Sequence, residues 1–507
     1  MKKVLSIIFS RVVLISLLIL AEITFLISML LRFNTLVNFY WISLGISIIC
    51  TIWIIGNKTN PGYKIAWIVI ILTVPFLGGP LYLLIGGNRL PRPLRKKLRR
   101  MEMTMLCELG GINKADALAS VAGADAGKQA RYIEQMAHCP VYGNTQTRYF
   151  PIGELFFEQL LEELKQAKDY IFLEYFIIQE GKMFNSILDI LKEKVCQGVD
   201  VRILYDDLGS ALTVPVNYHK KLESFGIQCR AFNRFIPVVS TKLNNRDHRK
   251  FCIIDGTSAF TGGLNLADEY INAVERYGHW KDSAILLRGD AVWSMTVMFL
   301  TMWDFVVEQV EPFEPFRPKP APLFGGGFVQ PYTDSPWDEE AVGQTVYINL
   351  IQSAKDYIYI TTPYLIIDYV MQFALTSAAK SGVDVRIITP YIPDKRLVFE
   401  VTRAHYQPLL EAGVRIYEYL PGFMHAKNFV VDDRFGTVGS INLDYRSMFL
   451  HFENGVLLFD TPCIADIKKD FLETLYKSKE ITLSWCRSLP WYRRFARAVF
   501  RIFAPLM

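Results

Sequence analysis

Two distant stretches of this chain carry the same pattern of reactive side chains, and a fold must account for both at once. The first runs from Asn245 through His248 and Lys250 to Asp255, followed by Gly262, Gly263 and Asn265. The second consists of His425, Lys427, Asp432, Gly439, Ser440 and Asn442. In each copy Lys follows His by two positions and Asp follows Lys by five. A pair of small residues begins seven after Asp, and Asn comes three after the first of them. The copies lie 177 residues apart, and two of only seven histidines in 507 residues occupy the matched positions. On an extended segment, side chains two apart leave the same face, so each His and Lys point together. The apolar run Phe251–Ile254 then reads as a short buried strand. An imidazole beside an ammonium suits a phosphate: the cation binds oxygens while the imidazole attacks phosphorus or moves a proton.

The repetition extends well beyond the motif. Asp169-Tyr-Ile-Phe-Leu matches Asp356-Tyr-Ile-Tyr-Ile, Gly198-Val-Asp-Val-Arg-Ile matches Gly382-Val-Asp-Val-Arg-Ile, and Gly226-Ile matches Gly413-Val. Their offsets are 187, 184 and 187 residues, close to that of the motifs. Helical apolar spacing over Gly153–Lys168 and Ser186–Gln197 alternates with these strands. Strand–helix–strand text of this kind predicts an α/β fold: two similar α/β lobes sharing one active-site cleft, each built on a largely parallel, helix-covered sheet. The Pro-rich stretch Glu311–Pro322, with Gly325–Gly327 after it, marks the join.

Paired H-x-K-x4-D-x6-G-[GS]-x-N motifs resemble the phospholipase D superfamily. The stretches Asn60–Trp67 and Pro75–Tyr82 look like the corresponding membrane text of bacterial cardiolipin synthases. The resemblance implies a phospholipase D-like fold and a catalytic set of His248, Lys250, Asp255, His425, Lys427 and Asp432. The residues leave open which histidine attacks; the same resemblance implies His248 as the nucleophile and His425 as the general acid and base. Lys250, Asn265, Lys427 and Asn442 would bind the phosphate. Asp282 and Glu453, each just before an apolar strand, are candidates to orient the histidines. Asp255 and Asp432 belong to the motif, but their spacing puts them at the far end of the strand, where they support structure. Two features differ from the usual pattern: Ser440 replaces a glycine, and His451 stands where the family often has Asn and is read as context. The implied reaction joins two phosphatidylglycerol molecules into cardiolipin and glycerol through a phosphohistidine. Hydrolysis, or transfer to another alcohol, would use the same residues. The eight cysteines are scattered without a C-x-x-C pair, and neither a cofactor nor a metal ligand set is expected.

Hydrophobic residues make up 51% of the chain and the mean hydropathy is +0.20, which points to a membrane portion. The apolar stretches are Val12–Leu31, Val37–Gly56 and Ala66–Gly86, and a span needs about 20 such residues. Residues 1–88 are accordingly read as a transmembrane module of two or three segments, and 89–130 as a basic juxtamembrane connector. Residues 131–320 and 321–487 would be the two lobes, and 488–507 a basic amphipathic tail. The cluster Arg89–Arg100 favours the cytoplasmic side, placing the catalytic lobes there in a multi-pass cell-membrane protein. Such a cluster also attracts anionic membrane lipids. The net charge of +5 gives little support to a nucleic-acid partner. In the tail, Arg493, Arg494, Arg497 and Arg501 alternate with Trp491, Phe495, Phe500 and Phe503, as in a helix lying in the membrane surface.

Overall fold

The computed structural model describes residues 37–86, 92–110, 114–234, 244–318 and 325–506, with the isolated positions 20, 24 and 28. In chain order the first half forms β1 (Thr145–Phe150), β2 (Tyr170–Tyr175), β3 (Asp200–Asp206), β4 (Gln228–Phe232) and β5 (Arg246–Asp247). It continues with β6 (Lys250–Ile254), β7 (Ser258–Gly262), β8 (His279–Lys281) and β9 (Ala284–Gly289). The second half forms β10 (Phe328–Asp334), β11 (Tyr357–Thr361), β12 (Leu365–Ile366), β13 (Asp384–Pro390), β14 (Arg415–Tyr419) and β15 (Gly422–Met424). After these come β16 (Asn428–Val431), β17 (Phe435–Gly439), β18 (Leu443–Asp444), β19 (His451–Phe459) and β20 (Ser478–Ile481).

The duplication reappears as topology. The first sheet has the order β1-β9-β7-β6-β2-β3-β4, and the second β10-β19-β17-β16-β11-β13-β14, with β20 added at its edge. Each sheet is mixed, which corrects the expectation of a largely parallel one. Along these orders β2, β3 and β4, and their counterparts β11, β13 and β14, run parallel, and β5 also joins β19 of the second sheet in parallel. The motif strands pair antiparallel, because three residues separate β6 from β7 and β16 from β17. A parallel neighbour would need a crossover of about a dozen residues. Both hairpin turns use left-handed backbone, with φ of 51° at Asp255 and 49° at Asp432. Aspartate tolerates that region better than most side chains.

The central strands of the first sheet are buried on both faces, and alternate residues enter different cores. Phe172, Phe251 and Ile253 face a core shared with the second half, while Ile171, Leu173, Cys252 and Ile254 face the helices Gly153–Gln166 and Lys182–Cys196. The helix Val292–Val307 lies in the shared core and is buried from Val292 to Trp303, so it is apolar all round. Phe299 of that helix stacks on Phe172 at 4.6 Å. The two halves thus share one interior.

The stretch read as connector also joins that interior. Ala115–Ala122 and Ala124–Met136 are helices, with Leu118, Ala126, Ala130 and Ile133 buried. Their alanines favour helix, and a Cβ on Gly127 would lie 2.3 Å from that of Ala119, so the pair packs without room for side chains. Gln129 Nε2 donates to the Val346 carbonyl at 3.1 Å, and Gln330 Nε2 to that of Ala130 at 3.1 Å. Low sequence periodicity here reflects small residues rather than absent structure.

Of the apolar N-terminal segments, Val12–Leu31 lies almost wholly outside the described residues. The second is the helix α1 (Val37–Gly56), and the third is divided into α2 (Pro61–Thr73), α3 (Pro75–Leu81) and a π-helical turn over Tyr82–Gly86. Among the described residues no helix is long and apolar enough to cross a membrane. Pro75 lacks an N–H and cannot continue α2. Gly78 and Gly79 then let α3 fold back: a Cβ on Gly78 would lie 2.6 Å from Ile71 Cα, and one on Gly79 3.2 Å from Ser47 Oγ. Cys50, Ile54, Trp67, Ile71 and Tyr82 make a small core of their own, while Trp41, Ile49, Ile52, Ile55, Ile65 and Leu72 are exposed around it. The tail is the helix Trp491–Phe503. Arg497 on this helix is buried against Glu400 at 2.8 Å, so that guanidinium serves docking, whereas Trp491, Tyr492 and Phe495 stay exposed.

Candidate active site

Each motif histidine sits at a break where one lobe's strand begins on the other lobe's edge. β5 pairs parallel with the start of β19, and the His248 N–H donates to the Phe452 carbonyl at 2.9 Å. Reciprocally, β15 pairs parallel with β8, and the His425 N–H donates to the Lys281 carbonyl at 2.7 Å. This exchange delivers each histidine to a carboxylate from the opposite half. His248 Nδ1 lies 2.9 and 3.0 Å from the Glu453 oxygens, and His425 Nδ1 lies 2.5 Å from Asp282 Oδ2. Both carboxylates are fully buried. The sequence pointed to Asp282 and Glu453; the crossing of partners between lobes was not readable there.

These contacts fix the tautomers. A carboxylate accepts, so each Nδ1 carries the hydrogen and each Nε2 presents a lone pair. Lys427 Nζ is also 2.9 Å from His425 Nδ1, but that nitrogen has a single hydrogen, which Asp282 takes. Lys427 therefore acts there as a neighbouring charge, while it donates to the His425 carbonyl. Lys250 Nζ donates to the His248 carbonyl at 2.5 Å.

The electrostatics follow from burial. His248 is held well below the usual histidine range, first by desolvation and then by the charges of Lys250, Lys427, His425 and Lys395. That set of neighbours shows both motifs bearing on one site, and adds Lys395, which no motif marked. Burial, then Lys427, pushes His425 down to about 4, against the pull of Asp282. Burial also lowers Lys250 to about 7 and Lys427 to about 8, with Glu453 and Asp282 opposing.

The small pairs after each strand have separate reasons. A Cβ on Gly263 would lie 2.1 Å from Asp282 Oδ1, so the carboxylate occupies the space a side chain would need. At the matching place Ser440 is accommodated because its Oγ donates to Glu453 Oε2. The Gly–Ser difference between the motifs is thus a difference in how the orienting carboxylate is held.

Asp255 and Asp432 are not at the reactive end, so their place in the catalytic set is corrected. Asp255 accepts from the N–H groups of Lys168, Asp169 and Tyr170 at 2.8–2.9 Å. Asp432 does the same for Lys355, Asp356 and Tyr357 at 2.7–3.0 Å. Each ties its hairpin turn to the start of the adjacent central strand. Asn265 is also partly committed: its Oδ1 accepts from Ile177 N at 3.0 Å and its Nδ2 donates to Tyr270 Oη at 2.6 Å. One amide hydrogen is left for a ligand. Asn442 Oδ1 is buried with no hydrogen-bond partner among the described residues.

His451, read as context, lies in the site. Its ring centroid is 5.4 Å from that of His248, and Phe176 packs against both rings. Arg446 Nε donates to its Nε2 at 3.3 Å, so Nδ1 carries the hydrogen and faces Glu453 Oε1 at 3.8 Å. Burial lowers its pKa to about 3. His248, His451 and Glu453 bring ligand-capable atoms within 4.8 Å of one another, a grouping the sequence did not reveal because His248 lies about 200 residues from the other two. On the second side, Tyr270, Trp280 and Phe423 surround His425 at centroid distances of 5.5, 5.2 and 5.7 Å.

This geometry has relatives. Residues 160–279 and 347–475 match the family described as cardiolipin synthase, PLD-like domain, and residues 45–87 match a phospholipase D-nuclease N-terminal family. A cardiolipin synthase of Geobacillus is 34% identical over 94% of this chain and 97% of its own length. The chain belongs to the cardiolipin synthase family. Another member, cardiolipin synthase 2 of Bacillus anthracis, is 34% identical over 89% of this chain and 88% of its own. An uncharacterized protein of Streptococcus mutans is 42% identical over 90% and 99%. The crystal structure of a phosphatidylserine synthase from Haemophilus influenzae superposes with a TM-score of 0.57 at 17% identity, covering 75% of this chain and all of that one. That match shows the shared phospholipase D-like fold.

Proposed function

We propose that the protein is a membrane-bound phosphatidyltransferase that joins two phosphatidylglycerol molecules into cardiolipin and releases glycerol. The observation that carries this reading is the crossed pairing of His248 with Glu453 and of His425 with Asp282. It leaves two Nε2 atoms, one from each lobe, free for chemistry.

His248 Nε2 attacks phosphorus of the first phosphatidylglycerol and forms a P–N bond as the P–O bond to glycerol breaks. His425, protonated on Nε2, gives its proton to the departing glycerol oxygen. The free cleft holds His425 neutral at pH 7, with a pKa near 4. The bound phosphodiester offsets the Lys250 and Lys427 charges and so favours protonation. Neutral His425 then takes the proton from the terminal hydroxyl of a second phosphatidylglycerol, whose oxygen attacks phosphorus and frees His248. Lys250, Lys427, Asn442 and the remaining amide hydrogen of Asn265 hold the non-bridging oxygens as charge builds. Ser440 Oγ keeps Glu453 in place on the nucleophile side.

The membrane reading rests on the match at residues 45–87, the exposed apolar residues around α1 and α2, and the exposed aromatics of the tail. With the basic cluster Arg89–Arg100 on the cytoplasmic side, a multi-pass arrangement places the lobes there. Product analysis by mass spectrometry on phosphatidylglycerol vesicles tests the function, beside the His248→Ala and His425→Ala variants. Cardiolipin with free glycerol, lost in both variants, supports it. Phosphatidic acid as the main product would make the protein a hydrolase.

A further inference from the structure

A cavity of about 980 Å³ lies away from the motifs, and none of their residues line it. One wall is Asn60 and the start of α2, with Gly62 and Ile65; the opposite wall is the tail helix. The second lobe closes it with Ile367, Asp368 and Tyr369. Asn60 Nδ2 donates to Asp368 Oδ2 at 2.9 Å, so the N-terminal hairpin is fastened to the lobe at this edge. β12 leads into this wall and pairs with β18, which follows Asn442 directly, so the cavity adjoins the second motif through two short strands.

Four guanidiniums reach the lining: Arg403, Arg494, Arg497 and Arg501. Two are already neutralised, Arg403 by Glu418 at 2.7 Å and Arg497 by Glu400 at 2.8 Å. Arg501 donates only to the neutral Gln372 amide, at 2.6 Å, and neither Arg494 nor Arg501 has a carboxylate partner among the described residues. The cavity therefore combines a mostly apolar wall with two cations that lack an ion-pair partner; of its lining carboxylates, Glu411 faces Arg487 at 3.6 Å, and Asp368 accepts from the neutral Asn60 amide and the Met371 N–H. Around it, Ile65, Tyr369, Val370, Trp491, Phe495 and Ile502 are exposed. A free phosphate would satisfy the cations and leave the apolar wall and the volume unused, since about 300–1,000 Å³ is the scale of a whole organic ligand.

We infer that this cavity binds one anionic phospholipid as a bound, unreacted ligand, its phosphate on Arg494 and Arg501 and its glycerol backbone and upper acyl chains along the apolar wall. The lipid would join the hairpin, the tail and the second lobe at the bilayer surface. This rests on the membrane reading above and is independent of the reaction in the cleft.

The test places a photoreactive p-benzoylphenylalanine at Ile502 in the full chain, in the His248→Ala background so that no lipid is consumed. The protein sits in phosphatidylcholine vesicles containing a minor share of phosphatidylglycerol. Photolysis and mass spectrometry identify the attached lipid. Phosphatidylglycerol should be enriched about tenfold or more over its share of the bilayer, and Arg494→Gln with Arg501→Gln should return it to that share. Arg494→Gln alone, at an exposed position, should lower the enrichment without disturbing the fold. Adducts that mirror the bilayer in both proteins would overturn the inference, as would loss of the enrichment on adding inorganic phosphate. Cardiolipin formation is measured separately with His248 restored, so failure there counts against the reaction and leaves this result standing.

Discussion

In the proposed reaction two carboxylates act through two imidazoles. Glu453→Gln and Asp282→Asn should each lower kcat by about two to four orders of magnitude, because the amide can hold the wrong tautomer. Steady-state kinetics should show KM changing far less; a loss confined to KM would contradict the orienting role. Gly263→Ala should behave like Asp282→Asn, since its Cβ would displace that carboxylate. Ser440→Ala, which removes one hydrogen bond to Glu453, should cost less. The lysines set a pH limit. Their pKa values lie below that of free lysine, so they lose charge early as pH rises: Lys250 near 7 and Lys427 near 8. The free-enzyme parameter kcat/KM should accordingly fall as pH rises through 7–8, and a profile flat to pH 9 would rule out charged lysines at the phosphate. The histidines, lysines and their spacing were legible because the motif is local and occurs twice. Asp282 and Glu453 were legible as a matched pair, but which lobe each serves depends on strand exchange, which no local pattern encodes. His451 was passed over because it reaches the site only through β19, the strand that accepts β5.

At the scale of elements, the hairpins explain why a motif aspartate can be essential to the pattern yet remote from the chemistry. Asp255 and Asp432 each satisfy three backbone N–H groups at the start of a central strand. Asp255→Ala or Asp432→Ala should destabilise the fold by about 2–3 kcal/mol, because part of that backbone is exposed and water can replace some bonds. Activity per folded molecule should persist, measured as specific activity corrected for the folded fraction. The helices Gly153–Gln166 and Lys182–Cys196 and the central strands were legible from apolar periodicity. The sheet direction was not, because strand–helix–strand text describes only β2, β3 and β4; a three-residue turn reverses β6 against β7, and β1, β7 and β9 pair antiparallel through longer connections. The helices over 115–136 escaped notice because alanine and glycine carry almost no periodic signal.

For the whole molecule, the two lobes are not independent bodies on a linker. β5 pairs with β19 and β8 with β15 across the divide, and Val292–Val307 lies in a core that both halves share. Urea unfolding should therefore show one transition, with circular dichroism and hydrogen exchange of peptides from either half losing structure together. Separate midpoints for residues 145–289 and 328–481 would argue that the shared core is weak. The duplication was legible at this scale, yet its consequence was not: repeated text says that two lobes are alike, and only the fold shows that each completes the other's histidine.

The central claim is that His248 carries the phosphatidyl group while His425 moves protons. It is tested most directly by mapping the covalent intermediate: protein mixed with phosphatidylglycerol is quenched at alkaline pH, digested, and its peptides are searched by mass spectrometry. A phosphatidyl adduct is expected on the peptide containing His248, with none on that containing His425, and it should be lost in His248→Ala. An adduct on His425, or cardiolipin formed by His248→Ala, would contradict it.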